Sequence, residues 1–288
     1  MKNILVLLIS LMCLVSCDRS VEKIPSYVYI KPFELTTSTE QGSSSTSITE
    51  GWVYVNQEFI GAYSLPAQVP FLADGEARIT VFPGVHENGL AEYPNIYPFY
   101  KEYDVKKTIL PSKIDTLCPV TMYYDNTQFA INENFEKGNG FTDYYNKIGG
   151  KFIRSSDTPF EGGFCGLIKL QTKDTTLATS VAFAAPIKEK LSSAAPSYVE
   201  MDYKSDIDVE VGFLSVDKFS GQETYQSVAF FKGKKEWRKI YVNLRAAVNN
   251  SRFTSYRLTL SAALPFVNGK FEQTTGEAKF DNIKVVYR

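Results

Sequence analysis

The stretch Ser197–Val216, SYVEMDYKSDIDVEVGFLSV, has the most regular pattern in the chain. Between positions 199 and 211, mostly apolar odd positions alternate with charged even positions. The odd positions are Val199, Met201, Tyr203, Ser205, Ile207, Val209 and Val211, and the even positions are Glu200, Asp202, Lys204, Asp206, Asp208 and Glu210. A period of two residues is typical of strands with one buried face. The stretch therefore predicts two β-strands, joined by a turn at 204–206, with one face in a core and the other acidic.

The acidic face has two interpretations. Paired carboxylates about 5 to 9.5 Å apart are what a glycosidase needs, with one carboxyl held protonated by an apolar setting. No apolar residue lies among these acids in the sequence to raise a pKa, so the pattern favours an acidic face in water. A hydrolase that uses Asp208 and Glu210, a metal site and a subunit contact stay open as alternatives.

The rest of the C-terminal half also shows strand patterns. Alternating segments include GGFCGLIKLQT, TSVAFAAP, YQSVAFFK, EWRKIYVNL, FTSYRLTLSA and the final FDNIKVVYR. No segment has a sustained apolar period of 3.6 residues, so we expect no long helix. About eight strands over residues 125–288 suit a jelly roll, in which the first and last strands lie close together. We expect Asp281 and Asn282 to open the last strand.

The N-terminal half predicts a second, smaller β-sandwich. In residues 51–84, GWVYVNQEFIGAYSLPAQVPFLADGEARITVFPG, short alternating runs are separated by turn residues such as Asn56-Gln57 and Asp74-Gly75. Strands at this spacing are typical of a sandwich. The preceding residues 36–50, TTSTEQGSSSTSITE, hold little apolar surface, and we expect a mobile loop there.

The first seventeen residues, MKNILVLLISLMCLVSC, contain one basic residue followed by an apolar run. The run is short for a membrane span, and Asp18 and Arg19 follow it directly. Residues 1–16 are therefore predicted to be a signal peptide. LVSC resembles a bacterial lipobox, which implies that Cys17 is acylated, as by palmitate, and that residues 17–25 are a tether. An ordinary secretory signal with an incidental Cys is the alternative.

The composition narrows the function classes. With 31 basic and 32 acidic residues the net charge is −1, which gives no electrostatic reason to expect nucleic acid as a partner. His86 is the only histidine, so a histidine-rich zinc site is excluded. The sequence has no glycine-rich phosphate loop and no dinucleotide fingerprint. Cys118 and Cys165 are predicted to be two buried thiols rather than a disulfide.

Residues 26–124 resemble the PEGA and carboxypeptidase-regulatory type of β-sandwich. The resemblance rests on VYVNQEFIGAYSLP and DGEARITVFPG, and PGVHENGLAEYPNIYPFYKEYDV is similar to a stretch found in lipoproteins of Bacteroidetes. It implies a protein of the outer membrane, held there by its lipid anchor. In those bacteria an acidic cluster after the lipidated Cys is associated with surface export. The tether DRSVEK has only isolated acids, which favours the periplasmic leaflet.

Residues 125–288 resemble the galactose-binding-like jelly roll of many carbohydrate-binding modules. The resemblance rests on NFEKG, EWRKIYVNL and FDNIKV. In that fold an acidic residue near the first strand and an Asp in the last strand often share a structural calcium ion. The resemblance places these ligands at Glu136 and Asp281, with further oxygens needed for calcium. The alternative is that both are solvated turn residues.

Sugar binding commonly uses aromatic rings as platforms. Tyr144 and Tyr145, in GFTDYYNKIGG, are adjacent, so in an extended segment at least one ring should lie near the surface. Trp237 is a further candidate, but a place in the sandwich core is favoured for it. The aromatic loop AEYPNIYPFYKEY, residues 91–103, could also form a binding surface, although packing or interdomain contact is favoured.

Together these patterns predict an all-β protein that is not an enzyme. It is a lipid-anchored envelope protein whose C-terminal jelly roll binds glycan or a surface partner, with a structural calcium ion implied by resemblance. A structural or adhesive subunit of an envelope assembly, which binds no sugar, is the first alternative. A glycoside hydrolase is the second.

Overall fold

The structure is a computed structural model. It describes residues 24–90, 92, 94–147, 151–172, 179–187, 191–192, 194–248 and 252–288. Within β12, β15 and β20, defined below, only the backbone is described at 143–147, 179–181, 183 and 254. The predicted signal peptide, residues 1–16, and the predicted lipidation site Cys17 lie outside the described residues, so they stay predictions.

The regular structure of the described residues consists of β-strands, which confirms the predicted all-β fold class. The strands are β1 Ser26–Ile30, β2 Glu34–Thr36, β3 Glu50–Val55, β4 Glu58–Ser64, β5 Ala67–Phe71, β6 Gly75–His86, β7 Pro94–Ile96, β8 Tyr103–Ile109, β9 Ile114–Leu117, β10 Val120–Met122, β11 Gln128–Glu133, β12 Phe141–Lys147, β13 Phe152–Ser155, β14 Cys165–Gln171, β15 Thr179–Ala184, β16 Ser197–Ser205, β17 Asp208–Asp217, β18 Glu223–Phe231, β19 Lys234–Asn243, β20 Phe253–Ala263, β21 Phe266–Val267, β22 Lys270–Phe271 and β23 Thr275–Tyr287.

Strands β1–β10 form three sheets, and we call this part the N-terminal unit. The largest has the order β4-β3-β6-β7, with β8 also paired to β6. It faces a sheet of order β5-β1-β9, and β10 pairs with β2 in parallel. Alternate residues of β1 and β3 are buried, as expected for strands whose inner faces meet in a sandwich.

Strands β11–β23, the C-terminal unit, form two antiparallel sheets and a small hairpin. The junction sheet has the order β13-β14-β23-β16-β19, with β11 also paired to β23. The distal sheet has the order β12-β15-β20-β17-β18. The first strand of the unit, β11, lies beside the last, β23, as a jelly roll requires.

The final strand differs from its prediction in one respect. Asp281 and Asn282 do not open β23 but lie in its middle, where the pairing with β16 shifts from Glu200–Lys284 to Asp202–Asp281. The shift is a β-bulge, and Asn282 adopts a left-handed conformation there (φ 49°). Asn tolerates this conformation, so two residues that favour turns can occupy a strand interior.

Two hydrophobic clusters form the cores. One lies between the junction and distal sheets. The other fills the N-terminal unit and extends across the junction to Tyr198, Tyr241 and Val286. The outer face of the junction sheet is therefore covered by the N-terminal unit rather than by water.

The aromatic loop supplies much of that cover. Tyr97, Phe99 and Tyr100 are buried, and the Tyr97 ring contacts Tyr198 and Tyr241 at centroid distances of 5.2 and 4.8 Å. This confirms the prediction that the loop packs between the two units.

The prediction of a mobile loop at residues 36–50 is wrong. β2 ends at Thr36, β3 begins at Glu50, and the irregular segment between them, the clasp loop (residues 37–49), binds the C-terminal unit. Ser45 Oγ donates to Asp202 Oδ1 over 2.7 Å, and Asn132 Nδ2 donates to the Glu40 carbonyl oxygen over 2.8 Å. Apart from Ile48, which is buried in the core of the N-terminal unit, the segment has little apolar surface, but its polar groups are hydrogen-bond partners of the buried Asp202 and Lys284.

Both described cysteines are free thiols. Cys165 is buried as predicted, and burial raises the pKa of its thiol to about 11. The prediction that Cys118 is buried is wrong, because it follows the short β9 and lies exposed before β10.

Candidate functional site

The two predicted calcium ligands lie on opposite sides of one loop, residues 156–164. Glu136 Oε1 accepts the backbone N–H groups of Gly163 and Phe164 over 2.9 and 3.0 Å. Asp281 Oδ2 accepts those of Phe160 and Glu161 over 3.1 and 3.3 Å. Both carboxylates therefore hold the loop against the junction sheet.

Glu136 and Asp281 do not by themselves complete a calcium site. Glu136 and Asp281 line a cavity of about 290 Å³ together with Glu161 and Asn134. However, the described residues contain no group of three or more Asp, Glu, His or Cys side chains able to hold a metal. Calcium needs six to eight oxygens, whereas oxygens of both predicted ligands already accept N–H groups. The calcium ion stays a prediction of the resemblance.

Asp281 has an unusual environment for a carboxylate. Burial raises the pKa of Asp281 to about 6, the backbone N–H donors of Glu161, Asn282 and Phe160 oppose the rise, and the negative charge of Asp202 adds to it. A nearby calcium ion would act in the opposite direction. Asp281 is thus a buried acid that titrates close to the physiological range.

The predicted sugar platforms have different outcomes. Tyr144 and Tyr145 lie on β12, where the pairing with β15 shifts between Asp143 and Tyr145, and Tyr145 pairs with Val181. Their side chains lie outside the described residues, so their role stays a prediction.

The favoured interpretation of Trp237 as a core residue is wrong. Trp237 is only partly buried and belongs to neither hydrophobic cluster. It lies on the edge strand β19, where alternation places it on the same side as Lys239 and Tyr241, away from the core residue Ile240. Its ring contacts Phe160, with centroids 5.8 Å apart.

The prediction of a solvated acidic face is also wrong for Glu200 and Asp202. Glu200 is fully buried, and its two oxygens accept hydrogen bonds from Tyr97 and Tyr123 hydroxyls over 2.6 and 2.7 Å. Because the N-terminal unit covers the junction sheet, its polar residues meet protein instead of water. Alternation identified the outer face of the strand but not what lies against it.

Asp202 and Lys284 complete this buried polar cluster. Asn282 Nδ2 donates to Asp202 Oδ2 over 3.1 Å, and Lys284 Nζ donates to the Ser43 carbonyl oxygen over 2.7 Å. Burial lowers the pKa of Lys284 to about 8, which the charge of Glu200 partly opposes. The cluster joins the two units.

The outer face of the distal sheet, the distal face, has a different character. The register pairs Glu210 of β17 with Ser261 and Phe230, and Leu214 with Arg257 and Tyr225, which places all six residues on this face. Phe230 is 69% exposed and Tyr225 is 39% exposed. Leu214 and Ser261 are buried, so the face presents these two aromatic rings beside the carboxylate of Glu210 and the guanidinium of Arg257.

Gly212 shapes this face. A Cβ at Gly212 would lie 2.6 Å from the Gln226 carbonyl oxygen, 2.8 Å from Thr259 Oγ1 and 2.9 Å from the Tyr225 hydroxyl oxygen. The missing side chain lets the Tyr225 ring lie down across β17, where its hydroxyl is 3.4 Å from Ser261 Oγ. Burial of that hydroxyl raises the pKa of Tyr225 to about 12. The position of the ring is thus fixed before any ligand arrives.

Sequence reasoning did not select Tyr225 or Phe230. A signal was present in YQSVAFFK, residues 225–232, because adjacent residues of a strand point to opposite faces. Of the pair Phe230–Phe231, one ring had to leave the core, and the structure shows that it is Phe230.

Comparison with known proteins adds the following. No family model matches the chain, and no curated protein does. Among solved structures, the CBM22-1 xylan-binding domain of Paenibacillus barcinonensis Xyn10C is similar, with a TM-score of 0.40 and 13% identity, covering 56% of this chain and 94% of that one.

Two further structures are similar at the same level. A structure of carbohydrate-binding modules from the β-sandwich superfamily has a TM-score of 0.41 and 12% identity over 83% of this chain and 85% of that one. The family 11 carbohydrate-binding module of Clostridium thermocellum, in complex with a β-1,3-1,4-mixed-linked tetrasaccharide, has a TM-score of 0.39 and 12% identity over 55% of this chain and 94% of that one. These values describe a likeness between β-sandwich folds.

None of the described segments forms a helix of the length and hydropathy that a membrane crossing requires.

Proposed function

We propose that this chain is a non-catalytic, lipid-anchored envelope protein whose C-terminal jelly roll binds glycan on its distal face. The observation that carries the proposal is the presentation of Tyr225 and Phe230 on one face, with Glu210 paired directly opposite Phe230. Sugars offer apolar C–H faces to aromatic rings and hydroxyl groups to nearby carboxylate, amide or guanidinium groups. The distal face offers both kinds of partner.

The surroundings of the acidic residues support a binding role over catalysis. Asp208 forms an ion pair with Lys232 over 2.6 Å and accepts the Gly233 N–H over 3.2 Å, so it stabilises the turn between β18 and β19. Glu200 and Asp202 are enclosed between the units. General acid and base groups need access to the proton they transfer.

The location belongs to the same proposal. An acylated Cys17 followed by the tether 17–25 would hold both units at the outer membrane, and the isolated acids of the tether favour its periplasmic leaflet.

Affinity gel electrophoresis with soluble xylan and mixed-linked glucan tests glycan binding. We expect the protein to be retarded, and Tyr225→Ala and Phe230→Ala each to weaken binding about tenfold, since truncating a central aromatic contact costs on the order of 1–2 kcal/mol. Phe219→Ala is the matched control, because Phe219 is 78% exposed but lies at the turn after β17.

Retardation that is lost equally in all three variants would contradict the assigned face. No retardation by any polysaccharide, combined with recovery of one envelope protein in pull-downs, would favour the structural or adhesive subunit instead.

A further inference from the structure

A second cavity, of about 540 Å³, lies at the junction of the two units. One wall is the end of β6 and the segment that follows it in the N-terminal unit, with His86, Asn88 and Leu90. The other is the β18–β19 hairpin of the C-terminal unit. We call this space the hairpin cavity.

The hairpin cavity is basic. The hairpin contributes Lys232, Lys234, Arg238 and Lys239 to its lining, and none of the described residues that line it is acidic. Among the described residues, Lys232 is paired with Asp208 and Lys239 with Glu200 and Asp202, so the local concentration of unpaired positive charge is that of Lys234 and Arg238. Such a concentration in a partly enclosed space attracts anions.

Lys239 lies in the wall of the cavity as a buried cation that forms ion pairs with Glu200 and Asp202. Its side chain is 2% exposed, and its Nζ donates no hydrogen bond to a described residue. The nearest carboxylate oxygens, of Glu200 and Asp202, are 3.8 Å away. The neighbouring buried Lys284, by contrast, donates to Ser43 over 2.7 Å.

The donors that an acid group in the cavity can reach are the exposed basic side chains. N⁺–H···O⁻ bonds to an acid group are among the stronger ones in proteins. Arg238 and Lys234 line the cavity, and each is exposed. Together they can surround one acid group with charge-assisted donors.

The hairpin cavity and the distal face share one residue. Phe230 lines the hairpin cavity and is also paired with Glu210 on the distal face. A ligand that stacks on Phe230 therefore reaches both places. A free inorganic anion would use the basic side chains but not this ring.

We propose that the hairpin cavity binds the carboxylate of an acidic sugar, a uronic acid residue within a glycan whose neighbouring sugars contact Phe230 and the distal face. This inference rests on the proposed glycan binding and names the class of glycan. The carboxylate would accept hydrogen bonds from Arg238 and Lys234.

Titration calorimetry of the protein with oligogalacturonate, its methyl ester, and inorganic phosphate and sulfate tests the inference. We expect the acid form to bind at least about tenfold more tightly than the uncharged ester, and its affinity to fall as salt rises. Arg238→Gln and Lys234→Gln should each lower affinity for the acid about tenfold without changing affinity for the ester.

Lys106→Gln, an exposed lysine on β8, is the control and should change neither affinity. Because Arg238 and Lys234 are exposed, their substitutions should leave the far-ultraviolet circular dichroism unchanged.

Equal affinity for acid and ester, or an acid preference unaffected by both substitutions, would overturn the inference. Binding of phosphate or sulfate with no binding of oligogalacturonate would also overturn it, in favour of a free anion site. If neutral glycans bind and Tyr225→Ala abolishes that binding, the proposed function stands while the inference fails. If only the acid form binds and Tyr225→Ala has no effect on its affinity, glycan binding by the distal face is contradicted, while acid binding by the hairpin cavity is supported.

Discussion

At the scale of single residues, the protein depends on side chains whose environments differ from what their type suggests. Glu200 and Lys284 are fully buried charged residues, and Asp281 is a buried acid in the middle of a strand. Each is held by specific donors or acceptors from elsewhere in the chain. Their sequence neighbours gave no sign of this, because the partners lie up to 241 positions away.

The titration of Asp281 leads to a prediction on stability. Its pKa is raised to about 6 in the folded protein from about 4 in the unfolded chain, so the folded state binds the proton more tightly. The resulting contribution to the free energy of unfolding is fully present below about pH 4 and is lost as the pH rises through about 6. In urea unfolding, the free energy of unfolding of the wild type should fall relative to that of Asp281→Asn as the pH rises from about 4 to about 6.

Asp125→Asn is the control for this measurement, since the Asp125 side chain is 92% exposed. If the difference in free energy of unfolding between wild type and Asp281→Asn does not change with pH, Asp281 is not a buried proton acceptor. If added calcium removes a pH dependence that is present without it, the calcium prediction gains support.

Gly212 provides a second prediction at this scale. We expect Gly212→Ala to lower the free energy of unfolding by about 1–3 kcal/mol, because the new Cβ would meet a backbone carbonyl oxygen that cannot easily move. It should also weaken glycan binding by displacing Tyr225. Gly138→Ala is the control, since a Cβ there meets nothing within 4 Å. Unchanged binding by Gly212→Ala would show that the placement of Tyr225 is unimportant.

At the scale of elements, the alternation of apolar and charged residues predicted where strands form, but it did not predict what packs against them. The pattern of 199–211 became β16 and β17, with the odd positions in the core. The even positions of β16 were expected in water because they are charged. Alternation shows which face of a strand points away from the core of its own sandwich. It does not show whether that face meets water or is covered by a second unit.

The clasp loop shows the same limit. Its composition correctly predicts the absence of regular structure. The loop is nevertheless held in place by long-range hydrogen bonds to the junction sheet. In the candidate site, Glu136 and Asp281 could be placed near one loop by resemblance. Tyr225 and Phe230 could have been found only by asking which of two adjacent rings leaves the core.

The clasp loop can be tested by one substitution. We expect Ser45→Ala to lower the free energy of unfolding by about 1.5–3 kcal/mol, because Asp202 would lose a hydrogen bond to a buried charge. Ser44→Ala is the control, because Ser44 is exposed. Equal stability of the two variants would mean that the loop does not hold the units together.

At the scale of the whole molecule, the two faces of the jelly roll have separate tasks. The junction sheet is joined to the N-terminal unit through a shared hydrophobic cluster and a buried polar cluster. The distal face carries exposed aromatic rings. In the proposed arrangement, the predicted N-terminal anchor precedes a unit that covers one sheet, and the other sheet is left for the ligand.

Nuclear magnetic resonance titration with xylo-oligosaccharides and oligogalacturonate tests glycan binding by the distal face most directly. We predict that the amide signals that shift belong to the neighbourhood of Glu210, Tyr225, Phe230 and Ser261, and that the oligogalacturonate also shifts those of the hairpin cavity. Shifts confined to the N-terminal unit or to the loop at 156–164, or no shifts with either glycan, would contradict the account.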